Sequence, residues 1–198
     1  MYLHILQTTH FCYHTVTNEN GKESLYIMKK SNTRELVITA LMAAIIFVAT
    51  YLIRIPNPAT GGYSHMGDCM IFITVVLLGR KNGSAAAAIG GALSDFLAGA
   101  PLWILPTLVI KYVMAFTMGT IIKRNPESKK LQLAGAITGG IFQIIGYTLA
   151  KIVLIGTEPA LLSIPNVSIQ TTVGIVLFMA LSGALTGTLK KFMKKEGR

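Results

Sequence analysis

Four ionisable residues, Asp68, Asp95, Lys111 and Lys151, stand within or at the edges of stretches that are otherwise apolar. Such groups cost several kcal/mol in hydrocarbon, so each is expected to face a partner, a cavity or an interface. Carboxylates and ammonium groups at this spacing can orient a polar ligand or neutralise one another. One reading pairs Asp95 with Lys111 to fix helix packing and leaves Asp68 and Lys151 to snorkel toward the surface; the other places Lys111 and Asp95 against a ligand. Gln143, Tyr147 and Lys151 recur every fourth residue and share one helix face. A polar stripe inside an apolar helix favours a cavity. Asn57, Tyr63 and His65 occupy a Pro/Gly-rich connection and join the binding candidates, together with Trp103, which suits a pocket wall or an interfacial anchor.

Catalysis is not indicated. There is no phosphate-cradling glycine loop, no HExxH, no GxSxG and no clustered pair of carboxylates. Cys12 and Cys69 lie far apart outside any CxxC, so neither a disulfide framework nor a metal site is expected. His4, His10 and His14 leave a zinc site as a minor alternative. No metal and no cofactor are expected.

The elements that must carry these residues are membrane helices. The 198 residues are 52% hydrophobic and 13% charged, against about 25% charged in soluble domains, and the mean hydropathy is +0.58. A net charge of +10 would suggest nucleic acid in a soluble chain. Here the basic residues sit in short runs between apolar stretches, which is the pattern of membrane-protein loops and excludes a nucleic-acid partner. Apolar segments at 36–53, 67–79, 84–98, 102–122, 131–155 and 168–189 predict an all-α, compact six-helix bundle in the bilayer. Residues 80–83 read as a polar turn and residues 156–167 as a connection. Residues 28–198 form this membrane domain. Residues 1–27 differ in composition and are expected to be a disordered extension or an upstream start-site artefact, because Met28-Lys-Lys resembles a natural start.

Orientation follows from charge. Lys29, Lys30 and Arg34, then Arg80 and Lys81, then the run from Lys123 to Lys130 and the tail from Lys190 all fall on one side, and the opposite connections hold only Arg54. The positive-inside rule therefore puts both termini in the cytoplasm of a multi-pass plasma-membrane protein. Small residues recur four apart at Ala40 and Ala44, Ala87 and Gly91, Gly135 and Gly139, and Gly183 and Gly187. This spacing lets helix backbones approach closely. It serves packing within the bundle or, at Ala40, Ala44, Ala87 and Gly91, docking on another membrane protein.

The order of Ala40xxxAla44, Tyr63-Ser-His-Met-Gly-Asp68, Leu78-Gly-Arg-Lys-Asn-Gly83, Gly90-Gly-Ala-Leu-Ser-Asp95-Phe-Leu-Ala-Gly99 and Pro106-Thr-Leu-Val-Ile-Lys111 resembles the substrate-binding S components of energy-coupling factor (ECF) transporters, in the riboflavin, vitamin B6 and pyrimidine group. The resemblance runs from about Lys29 to Lys191. It implies a six-helix subunit that binds a vitamin or precursor at its outer side, beneath the connection after the first helix. It also implies docking through a small-residue face on a transmembrane coupling subunit that carries two ATPases, so ATP is used by the partners and not by this chain. A small stand-alone secondary transporter and a non-transporting assembly subunit are the rival readings; the first would need repeats or broken helices around a midplane site.

Overall fold

The computed structural model describes the backbone of residues 12–17, 23–28, 33–52, 54–57 and 62–195, and the side chains of residues 33–52 and 65–183. The chain divides into two units, residues 1–38 and 39–198. In the first, β1 (Cys12–Thr17) pairs antiparallel with β2 (Glu23–Met28). All but Met28 of these twelve residues lie in the segment 1–27, expected to be a disordered extension or a start-site artefact. Their β-branched and aromatic members, among them Thr15, Val16, Tyr26 and Ile27, suit a hairpin. The rest of that expectation falls outside the described residues.

Helices build the second unit. α1 (Thr33–Leu52) begins in the first unit and continues into the second. After it, β3 (Arg54–Asn57) pairs with β4 (Gly62–His65) in a short antiparallel hairpin, with Arg54 opposite His65 and Asn57 opposite Gly62. α2 (Gly67–Leu97), α3 (Pro101–Ile122), α4 (Lys129–Ile155) and α5 (Thr157–Lys195) complete the order. Among the described residues, five helices are thus long and apolar enough to cross a membrane.

The apolar segments expected at 67–79 and 84–98 form one element broken at a single residue. Gly79 adopts φ 74° and ψ −173°, a region essentially reserved for glycine. Past it the chain doubles back: a Cβ on Gly83 would lie 2.9 Å from the Cα of Val75, whereas residues eight apart in an unbroken helix are about 12 Å apart. Residues 80–83 therefore start the second half of α2 and are not the polar turn expected of them. The half from Gly67 to Leu78 is only about 18 Å long, too short for about 30 Å of hydrocarbon. Its first turn, with Asp68, consequently begins inside the bundle.

A second difference lies at the start of α5. Residues 157–167 are helical where a connection was expected, and Gly156 alone, at φ 96°, separates α4 from α5. Glu158 and Pro159 stand in the first turn of α5, where an acidic side chain meets the positive helix end and a proline sacrifices no helical hydrogen bond. Read linearly, the same two residues resemble a loop.

Small residues bring the helices together. Added Cβ atoms on Gly146, Gly139 and Gly135 of α4 would crowd Ile110, Met114 and Met118 of α3 in turn, so the two helices run antiparallel in close contact. Phe72 of α2 and Phe178 of α5 are both fully buried, with ring centroids 5.5 Å apart. Outward faces carry large apolar side chains such as Val37, Leu105, Val153 and Leu162. That surface suits lipid, and a helical bundle satisfies its backbone polar groups there internally.

Candidate functional site

The first half of α2 delivers Asp68 to the centre of four helices. Its carboxylate is fully buried and lies 2.5 Å from the Lys111 ammonium of α3, itself 1% exposed. Lys111 also donates to Gln143 Oε1 of α4 at 2.7 Å and lies 5.5 Å from the centre of the Tyr147 ring. The Gln143 amide nitrogen donates to Asp68 Oδ2 at 2.7 Å and to Thr171 Oγ1 of α5 at 2.9 Å. Gln170 of α5 adds a third donor to the carboxylate at 3.1 Å, and its amide nitrogen lies 3.2 Å from His65 Nε2 on β4. Tyr147 OH and Thr107 Oγ1 are 3.1 Å apart.

Packing explains why these groups meet here. Gly91 leaves room for the Lys111 stem, because a Cβ would stand 3.2 Å from its Cγ, and Gly174 does the same for Asp68, 2.8 Å from its Cβ. Three donors, one of them the Lys111 cation, compensate the carboxylate, which a buried charge requires. The first turn of α2 adds the positive end of the helix dipole. No nucleophile and base are paired in this network, so its chemistry is hydrogen bonding and charge complementarity. Among the described residues no three His, Cys, Asp or Glu side chains group to hold a metal.

The network gathers Asp68, Lys111, Gln143, Tyr147 and His65 from the sequence candidates. It corrects the ion pair: Lys111 binds Asp68 and not Asp95, and Asp68 does not snorkel. Asp95 is half-buried near the end of α2, where its backbone carbonyl accepts from Ala100 N at 3.0 Å. Trp103 is half-buried in the first turn of α3, and Lys151 is half-buried one turn beyond Tyr147. The backbones of Asn57 and Tyr63 lie on the β3–β4 hairpin; their side chains, and those of His4, His10 and His14, fall outside the described residues.

Of the docking candidates, Ala40 and Ala44 are exposed on α1. Ala87 and Gly91 are buried inside the bundle and are corrected to internal packing, Gly91 standing against Thr107 and Lys111. Gln170, Thr171 and Thr107 escaped the sequence reading because it followed only the ionisable groups and the Gln143–Tyr147–Lys151 stripe through the apolar segments. The polar triplet Gln170-Thr171-Thr172 within the apolar α5 is the signal that points to them.

A family model described as "ECF-type riboflavin transporter, S component" matches residues 30–187, which include the whole network. A protein of Pyrococcus woesei, described as "Uncharacterized protein in gap 3'region", is 38% identical over 144 residues, 73% of this chain and 93% of that one. UPF0397 protein YdcD of Lactococcus lactis subsp. lactis (strain IL1403) is 31% identical over 176 residues, 82% of this chain and 90% of that protein. A solved S component of a bacterial ECF transporter superposes with a TM-score of 0.66 at 22% identity, covering 81% of this chain and 99% of that one. The S-component for biotin from an ECF-type ABC transporter gives 0.56 at 19% identity, over 79% and 94%. At these identities the likeness establishes the fold. With the family model spanning most of the sequence and the broken, buried-polar helix bundle in place, the chain belongs to the ECF-type riboflavin transporter S component family, a family of transporter substrate-binding components and not of enzymes.

Proposed function

We propose that this chain is the high-affinity substrate-binding subunit of an ATP-driven importer and that it captures a vitamin or vitamin precursor from the outer side. The observation that carries this reading is the buried Asp68–Lys111–Gln143–Gln170 network, which begins where α2 starts within the bundle and is tied to β4 through His65. Substrate would bind above the network and beneath the β3–β4 hairpin, with Tyr147, Trp103, Lys151, Asp95, Asn57 and Tyr63 around it. Asp68 already neutralises Lys111, which favours a flat, uncharged heteroaromatic ligand, and riboflavin is the first probe.

In this reading the β3–β4 hairpin and the first half of α2 together make one crossing and the second half of α2 makes the next, giving six crossings with both termini cytoplasmic. The chain docks through the α1 face bearing Ala40 and Ala44 on a coupling subunit with two ATPases, and it needs no cofactor of its own. Mass spectrometry of small molecules released from the detergent-purified chain, followed by riboflavin titration of Trp103 fluorescence, tests the proposal. One vitamin-like molecule per chain is the expected result. A chain that is empty, folded and indifferent to riboflavin and other B vitamins would overturn it.

A further inference from the structure

A cleft lies at the other end of the first half of α2 from Asp68. It opens to the surface between the break at Gly79 and the end of α3 and has a volume of about 480 Å³, within the range of small-ligand sites. Val75, Val76 and Ile122, themselves buried, form its base, Arg80, Lys81 and Lys123 stand along it, and among the described residues no Asp or Glu lines it.

Two glycines build the cleft. Gly79 turns the chain so that Arg80 and Lys81 follow immediately, and the space beside it is open, with nothing within 4 Å of an added Cβ. Gly119 of α3 admits the Arg80 backbone, since a Cβ would stand 2.7 Å from the Arg80 Cα. The Arg80 guanidinium then rests 4.7 Å from the centre of the Phe116 ring, which fixes its direction. Depth sets the surroundings. α3 runs from Pro101 to Ile122, about 33 Å, and so matches the hydrocarbon thickness and leaves Lys123 at the headgroup level.

Three cations at that depth, at the end of a helix that matches the hydrocarbon thickness, stand where the phosphodiester of a phospholipid lies. We propose that this cleft binds an anionic phospholipid, its phosphodiester held by Arg80, Lys81 and Lys123 and its acyl chains in the hydrocarbon beside α3. The site depends on the membrane immersion of α3 and is independent of the substrate bound at the Asp68 network.

Native mass spectrometry of the full chain in detergent tests the site by titration with phosphatidylglycerol and with phosphatidylcholine of the same acyl chains. A variant carrying Arg80→Gln, Lys81→Gln and Lys123→Gln is compared with a charge-matched tail variant carrying Lys190→Gln, Lys191→Gln and Lys194→Gln. Wild type and tail variant should retain one phosphatidylglycerol in preference to phosphatidylcholine, and the cleft variant should lose roughly a hundredfold in affinity. Lys81→Gln with Lys123→Gln, which spares the Arg80 contact with Phe116, should lose about thirtyfold and serves if the triple variant does not fold. Equal losses in cleft and tail variants would mean diffuse surface charge and would overturn the site, as would unchanged retention in the cleft variant. Displacement of the lipid by millimolar inorganic phosphate would assign the cations to free phosphate and overturn the lipid assignment.

Discussion

Lys111 shows how much of a single residue's role depends on what surrounds it. The sequence marks it as an ammonium that must be compensated, and nothing in its neighbourhood along the chain names the compensating group. Asp95 is the closer carboxylate in sequence. Asp68 is the actual partner because the first half of α2 starts deep in the bundle, at a level the Lys111 ammonium reaches. Lys111→Ala should therefore cost about 3–5 kcal/mol, since it leaves the Asp68 carboxylate buried without its cation. The double variant Asp68→Asn with Lys111→Met removes both charges at similar volume and should melt closer to wild type than Lys111→Ala does. Thermal melting in detergent reads both, and a double variant whose loss equals the sum of the two single losses would show that the pair is not coupled. Gln143 was legible from its stripe with Tyr147. Gln170 and Thr171 were not, because uncharged polar residues inside an apolar segment face lipid-side backbone, a cavity or a neighbouring helix with equal ease until the packing is known.

The break in α2 governs the elements. Without it, residues 67–97 would form one helix of about 46 Å, and Asp68 would stand outside the hydrocarbon. Gly79 makes the reversal through a conformation that side chains resist, so Gly79→Ala should destabilise by about 1–3 kcal/mol even though open space surrounds the site. Gly79→Asn should not rescue it, because ψ of −173° lies outside the left-handed helical region that asparagine tolerates. A Gly79→Ala melting curve that overlays wild type would contradict the strained conformation. The sequence announced a break near Gly79 but placed a four-residue polar turn after it. Arg80, Lys81 and Asn82 are polar because they lie at the membrane surface, and polarity alone does not distinguish a loop from the first turn of a helix. The start of α5 was misread for the same reason.

At the scale of the whole molecule, the exposed and buried halves of the small-residue pattern have different uses. Ala40 and Ala44 lie open on α1, while Ala87 and Gly91 are taken up by the bundle. Ala40→Leu with Ala44→Leu should abolish co-purification with a coupling subunit and leave ligand affinity within about twofold, because the substitution changes the lipid-facing surface and not the polar network. Undiminished co-purification of the double variant would remove α1 as the docking face. The amino-acid sequence by itself determined that this protein is a helical bundle for the bilayer, that its basic residues fall between the apolar runs and which charged residues must be accounted for. Those conclusions rest on local quantities, namely the length of apolar runs, the cost of charge in hydrocarbon and the positions of Lys and Arg. Only the tertiary structure decided that Asp68 pairs with Lys111, that Gln170 joins that pair to the β3–β4 hairpin, and that Ala87 and Gly91 face inward. Each depends on the depth and rotation of helices that are far apart in the chain, and one glycine dihedral sets the depth of α2.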